Sequence, residues 1–160
     1  MIQRKQTLFL LAAVLLCGLS FVLPIASYDP VVPFSRYDLF TTGVFDRGDG
    51  DKVTDFDMAY PIYLVYGILG VALLVDIFLF GNRKRQLLVL RSAYIFGALL
   101  IVLQLITDQG AYAYISNGGH WSRRYGPTMF FPIGILLFMY LAQRGIQGDE
   151  DLVKSMDRLR

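Results

Sequence analysis

Two charged residues, Asp76 and Arg91, lie inside long apolar runs of the chain. A basic turn at residues 81–86 separates the two runs, and each charge lies a similar number of residues from it. In an antiparallel helix pair they would therefore reach the same depth and face each other. A charge well inside a membrane helix costs ~2.5–3.5 kcal/mol. We expect a structural ion pair that fixes the register of this hairpin, with a proton or ion relay as the alternative.

An acidic segment offers a second possible site. Asp46, Asp49 and Asp51 supply hard oxygen ligands of the kind that Ca²⁺ prefers. The spacing fails the EF-hand pattern, because neither a start at Asp46 nor one at Asp49 places glycine at the sixth position. We therefore expect a solvated acidic turn, and neither a metal nor a cofactor is expected.

A third candidate is the segment that holds the only histidine and the only tryptophan of the chain. His120, Trp121, Arg123 and Arg124 could contact an anionic lipid headgroup or a polar ligand such as a quinone head. Tryptophan is also an ordinary residue of the membrane interface, and arginines can pair with an acidic loop. We favour this second interpretation, in which the segment is an aromatic belt with inter-loop ion pairs.

The elements that must position these residues are membrane helices. The chain has 160 residues, 55% of them hydrophobic and 18% charged, with a mean hydropathy of +0.49. The apolar residues fall in long blocks, which is typical of a multi-pass membrane protein. We predict transmembrane helices at about residues 7–25, 59–80, 87–106 and 128–143. The first run is long for a signal peptide, so we expect a retained helix.

Two outer loops, residues 26–58 and 107–127, connect these helices. Residues 34–45 are rich in β-branched and aromatic residues, and a Gly/Asp turn follows, which predicts a strand, a turn and a return strand through Val53. Gly67 with Gly70, and Ala93 with Gly97, predict close helix contacts. The predicted fold is one all-α membrane domain, 1–160: a four-helix transmembrane bundle with a small, partly β outer cap and a C-terminal amphipathic helix.

The polar tail, residues 144–160, supplies that last helix. Acids stand near its start and arginines near its end, as the helix dipole favours. Its apolar stripe consists of Leu152, Val153, Met156 and Leu159. We expect this stripe to dock onto a partner; a helix that merely lies on the membrane is the alternative.

Lysines and arginines are concentrated at the two termini and the 81–86 turn, so we predict that both termini are cytoplasmic. The net charge of +2 is small and no separate basic domain exists, so nucleic acid is not an expected partner. The expected partners are the lipid bilayer and either another membrane protein or a second copy of the chain.

The two ends of the chain carry a resemblance. The opening MIQRKQTLFLL, residues 1–11, and the closing LAQRGIQGDEDLVKSMDRLR, residues 141–160, resemble the ends of a Bacteroidota family of small four-helix inner-membrane proteins catalogued as a domain of unknown function. The resemblance implies a bacterial inner-membrane location and four helices. It implies no activity, cofactor or catalytic residue.

Two classes of function remain. The first is a non-enzymatic accessory or scaffold subunit of an inner-membrane complex, which docks through its helix faces and the tail. The second is a small transporter or a lipid- or quinone-type ligand-binding protein. It would use Asp76, Arg91 and Gln104, or the segment from His120 to Arg124. An enzyme ranks third, since no nucleophile and base pair with an orienting acid is evident.

Overall fold

The computed structural model describes residues 5–30, 36–116, 119 and 121–158, with Lys5 and residues 149–158 described by their backbone alone. Helices alternate with short strands along the chain. The elements are α1 (Lys5–Leu19), β1 (Ala26–Pro30), β2 (Tyr37–Phe40), β3 (Gly43–Asp46), α2 (Ile62–Phe78), α3 (Arg83–Ser116), β4 (Trp121–Tyr125) and α4 (Phe131–Arg158). Short 3₁₀ turns at Leu79–Gly81 and Pro127–Phe130 precede α3 and α4.

The four helices pack side by side around one apolar core. Helix α1 contacts α2 and α4, and α3 contacts the same two helices from the other side. The buried residues of this core include Leu10, Leu69, Leu73, Leu90, Leu100, Ile135 and Met139. Three helical stretches, Ile62–Gly81, Arg83–Ser116 and Pro127–Gly148, are long and apolar enough to cross a membrane. The fold is therefore mostly helical and compatible with membrane insertion.

Small residues mark several of the helix contacts. A Cβ atom added at Gly97 would lie 2.7 Å from a methyl carbon of Leu136, so α3 and α4 approach closely there. A Cβ at Gly70 would lie 3.3 Å from the Cβ of Cys17, on α1. The space around Gly67 is open, with nothing within 4 Å. Of the two predicted glycines on α2, Gly70 therefore makes the close contact.

Helix α1 is shorter than predicted. It was expected over residues 7–25, but it ends at Leu19. The Ser20 hydroxyl donates a hydrogen bond to the Cys17 carbonyl at 2.7 Å, and turns follow as far as Leu23 before β1 begins. The apolar residues 20–25 therefore lead into the sheet rather than extending the helix.

Helix α3 is longer than predicted. It was expected to end at Ile106, with a loop from Thr107, but it continues to Ser116. Its start is capped by Asn82, whose Oδ1 accepts a hydrogen bond from the Arg85 amide at 3.2 Å. Thr107 and Asp108, which resemble loop residues, are buried. The helix continues because strands pack over this polar end.

The strands form one four-stranded antiparallel sheet with the order β3-β2-β1-β4. The predicted extended stretch is a hairpin whose turn is followed by Gly43, at φ 153°; residues 31–35 lie outside the described chain. The predicted return through Val53 appears as a single bridge between Phe45 and Lys52. The sheet draws on both of the predicted loops, as expected for the cap.

A second apolar cluster joins the sheet to the C-terminal end of α3. It contains Tyr28, Leu39, Val44 and Ala111, all fully buried. The sheet consequently has one face packed on the helical body, which stabilises it relative to an isolated hairpin.

Helix α4 also differs from the prediction. A membrane helix over residues 128–143 and a separate tail helix were expected, but one helix runs from Phe131 to Arg158. Residues 144–148 are helical as well, so nothing separates the tail from the apolar part. The tail thus extends the axis of α4.

Candidate functional site

Asp76 lies in the last turns of α2 and is completely buried. Neither carboxylate oxygen has a hydrogen-bond partner within the described part of the chain. The nearest polar link is through the backbone, where Gln86 Nε2 donates a hydrogen bond to the Asp76 carbonyl oxygen at 3.2 Å. Asp76 is thus a buried acid without compensation, which is a rare and costly arrangement.

The structure does not bring Arg91 to Asp76, and the expected ion pair is absent among the described residues. The buried positions of α3 include Gln86, Leu90 and Ala93, which form one stripe along the helix. Arg91 lies off this stripe and is exposed. Equal depth in a hairpin does not ensure that two side chains share a face, because successive helical residues are about 100° apart.

A polar cluster at the other end of α2 surrounds Gln104. Its Nε2 donates hydrogen bonds to the Tyr66 hydroxyl at 3.0 Å and to the Thr128 carbonyl at 3.1 Å. The Thr128 hydroxyl donates to the Leu23 carbonyl at 2.8 Å. These bonds join α2, α3 and the start of α4. Two hydrogen bonds thus hold the Gln104 amide nitrogen, whereas its Oε1 has no partner among the described residues.

A buried ion pair of the described residues, between Asp108 and Arg123, was missed in the sequence analysis. Asp108, only 1% exposed, accepts a hydrogen bond from the Tyr28 hydroxyl at 2.7 Å. Its other oxygen accepts one from Arg123 at 2.8 Å. The Arg123 guanidinium also lies 4.1 Å from the centre of the Tyr112 ring, a cation–π contact. Burial, together with the hydrogen bond to Asp108, raises the pKa of Tyr28, so this hydroxyl remains a donor.

The predicted ligand segment divides into separate roles. His120 lies outside the described residues. Arg123 is engaged by Asp108, and Arg124 pairs with Asp29 of β1 at 3.4 Å, which is the type of inter-loop pair that the sequence suggested. The two arginines thus already have acidic partners. Trp121 is not part of these ion pairs. Its ring packs against that of Tyr37, with ring centres 5.9 Å apart.

Trp121 borders a cavity of about 620 Å³ between the sheet and the C-terminal end of α3. Aromatic residues Tyr37 and Tyr114 line it together with Trp121, and Asp55 contributes a carboxylate. Its volume lies within the range of small-molecule sites. It could not be recognised in the sequence, because its described walls come from five separate segments.

The acidic turn holds itself together by hydrogen bonds. Asp46 Oδ1 accepts a hydrogen bond from the Gly48 amide at 2.8 Å, and the Gly50 amide donates to the Asp46 carbonyl. Within the described residues, no three His, Cys, Asp or Glu side chains are grouped for a metal ion, and this includes Asp46, Asp49 and Asp51. The turn is a compact acidic corner.

The docking stripe was placed on Leu152, Val153, Met156 and Leu159. The first three lie on the described backbone of α4, and Leu159 lies outside the described residues. The residues before them define a buried seam on α4: Ile135, Met139, Ala142 and Ile146. Their spacing of four, three and four continues through Asp149 to Val153 and Met156.

Fold and site together define a class: a small, mostly helical protein with a sheet over one end of its helices and three helices able to cross a membrane. Within that class, the chain belongs to the family described as Domain of unknown function (DUF4293), whose model matches residues 2–159. No curated protein matches the chain.

Proposed function

We propose that this protein is a non-enzymatic accessory or scaffold subunit of a bacterial inner-membrane complex. In this proposal the helices form a four-helix transmembrane bundle, and a partner subunit binds the extension of α4. The observation that carries the proposal is the length of α4, which continues as one helix to Arg158.

The extension reaches well past the neighbouring helix. A Cβ atom at Gly145 would lie 3.3 Å from the Cβ of Gln6, so the start of α1 is level with Gly145. At ~1.5 Å per residue, the helix from Gly145 to Arg158 extends about 20 Å further. Such a projection is suited to present a helix face to another protein.

The pattern of the extension supports docking. The seam that packs in the core, ending at Ala142 and Ile146, continues in register to Val153 and Met156. A stripe with this spacing is typical of helices that pack against other helices. A membrane-surface helix would instead require a break, since it lies at an angle to the helix that crosses the bilayer.

Membrane insertion is supported by the outer surfaces of the helices. Large apolar side chains point away from the core, among them Val71 at 61%, Leu88 at 70% and Ile95 at 71% exposure. Hydrocarbon would cover these side chains at no cost. The excess of lysine and arginine at the termini and the 81–86 turn favours cytoplasmic termini. The resemblance to Bacteroidota proteins favours the inner membrane.

The transporter alternative has less support. Asp76 lies close to the 81–86 turn that joins α2 and α3, whereas Gln104 lies toward the opposite end of this helix pair. Fully buried leucines lie between the two residues. These are Leu69, Leu73, Leu90 and Leu100. Arg91 is exposed and does not join them. A path lined by Asp76, Arg91 and Gln104 would need this apolar layer to open.

Site-specific photocrosslinking tests the proposal directly. A photoreactive residue at Val153 or Met156 should form a crosslink to a distinct protein in native membranes. The matched control is position 151, on the opposite side of the helix, where the same residue should give little product. Crosslinks to lipid alone would show that the extension is only an anchor, and equal protein products at positions 151 and 153 would contradict docking through the stripe.

A further inference from the structure

The cavity between the sheet and α3 is independent of the proposed docking helix. It has a volume of about 620 Å³ and is partly open to the outside. Tyr37 of β2, Trp121 of β4 and Tyr114 of α3 line it, together with the apolar Val44 and Ile115. Three aromatic residues from three elements thus surround one space.

The aromatic side chains are held in place by ring contacts. The rings of Tyr37 and Trp121 are 5.9 Å apart and tilted by 42°. Tyr114 packs on Phe56 at 5.3 Å. The faces of such rings carry a partial negative charge from the ring quadrupole, and they attract cations. The single charged residue of the described lining is Asp55, which would add a direct ionic attraction.

The charges around the cavity are not balanced. Each arginine of the sheet region has an aspartate partner: Arg36 and Arg124 with Asp29, Arg47 with Asp38, and Arg123 with Asp108. Asp55 has no ion-pair partner among the residues that the structure describes, and neither have Asp46, Asp49, Asp51 and Asp57. Lys52 is the one base without an acid partner there. The one charge on the described lining of the cavity, that of Asp55, is therefore negative and has no ion-pair partner among the described residues.

We infer that this cavity binds a small organic cation, an ammonium or quaternary ammonium group on a compact apolar body. The aromatic rings and Asp55 would surround the cationic group, while Val44 and Ile115 would contact the apolar part. An anionic ligand is disfavoured, because the one charged side chain of the described lining is the carboxylate of Asp55. The cation can come from a free amine or from a zwitterionic lipid headgroup, since both present the same group.

The only tryptophan of the chain lines the cavity, so its fluorescence reports occupancy. The purified full-length protein in a nonionic maltoside detergent is titrated with choline and with its uncharged isostere 3,3-dimethylbutan-1-ol. Choline should give a saturable change in Trp121 emission with a midpoint at least about fivefold lower than that of the alcohol. No saturable change, or equal midpoints for the two compounds, would overturn the inference.

Two matched variants test the carboxylate. Asp55→Asn should raise the choline midpoint about fivefold, because the ionic attraction is lost. Asp49→Asn, an equally exposed acid outside the described lining, should leave it within about twofold. Identical midpoints for the two variants would contradict a role for Asp55. Both positions are exposed, so neither change should disturb the fold.

Mixed micelles distinguish the two sources of the cation. Maltoside micelles are doped with phosphatidylcholine or, as the control, with phosphatidylglycerol. If phosphatidylcholine alone shifts the choline titration to higher concentration, the headgroup competes for the cavity and the lipid is the source. If neither lipid shifts it, the site takes a free cation. Equal shifts by both lipids would contradict recognition of the cationic group.

Discussion

Two buried aspartates of this protein have opposite environments. Asp108 accepts hydrogen bonds from Tyr28 and Arg123, whereas neither side-chain oxygen of Asp76 has a partner within the described chain. Both are at most 1% exposed. Removing one member of a buried pair leaves the other uncompensated, whereas an unpaired acid is a cost that a neutral residue avoids.

The same substitution should therefore have opposite effects at these two positions. Asp108→Asn should destabilise the protein by about 3 kcal/mol, because Arg123 loses its counter-charge. Asp76→Asn should be neutral or stabilising by about 1 kcal/mol. Thermal unfolding in detergent, followed by Trp121 fluorescence, measures both. A strong loss of stability in Asp76→Asn would indicate a partner for this carboxylate beyond the contacts described.

The earlier expectation for Asp76 changes accordingly. If Asp76 formed the ion pair with Arg91 that the sequence suggested, Arg91→Leu would offset the loss of stability caused by Asp76→Leu. Because Arg91 is exposed and unpaired with Asp76, the two substitutions should act independently, and their effects on stability should add.

Composition predicted which segments of the chain are helical, but it placed the ends of several helices wrongly. Long apolar blocks identified all four helices. The extension of α3 to Ser116 was missed because Thr107 and Asp108 resemble loop residues. The spacing of Leu100, Gln104, Asp108 and Ala111 continues the buried stripe and was the available signal.

The sheet was predicted only in part, for a physical reason. The β2–β3 region has local turn signals, so it could be recognised. Strands β1 and β4 are neighbours in the sheet yet distant in sequence, pairing Ala26 with Tyr125. Such non-local pairing leaves little trace in either segment. The cavity and the Tyr28–Asp108–Arg123 group depend on it and could not be foreseen.

The junction between β4 and α4 depends on one close approach. A Cβ atom at Gly126 would overlap the Pro24 carbonyl, with the carbonyl carbon 2.9 Å away. The Gly126 amide also donates to the Ile25 carbonyl at 2.8 Å. Because backbone rather than a flexible side chain is in the way, relief requires movement of the backbone at Pro24 and Ile25, just before β1.

Gly126→Ala should therefore lower stability by about 2 kcal/mol or more. The matched control is Gly110→Ala on an exposed turn of α3, where nothing lies within 4 Å. Alanine there should be neutral or stabilising by about 0.5–1 kcal/mol, since it favours the helix. Thermal unfolding of the two variants is compared. Equal stability of both would show that the Pro24 carbonyl does not approach Gly126 as described.

For the whole molecule, the proposed topology places the sheet outside and the 81–86 turn in the cytoplasm. The chain has one cysteine, Cys17, which is buried, so a Cys17→Ala background is suitable for labelling. In spheroplasts, an impermeant maleimide should label Asp49→Cys at once and Lys84→Cys only after permeabilisation. The reverse pattern would invert the protein in the membrane.

The most direct test of the scaffold account is the size and composition of the native assembly. Membranes are extracted in mild detergent, and the tagged protein is separated by size with its companions identified by mass spectrometry. The account predicts stoichiometric partner proteins that are lost when Val153 and Met156 are replaced by serine, and retained when Asp151 and Lys154 are replaced. A lone monomer of the unmodified protein, or partners unaffected by the stripe substitutions, would contradict it.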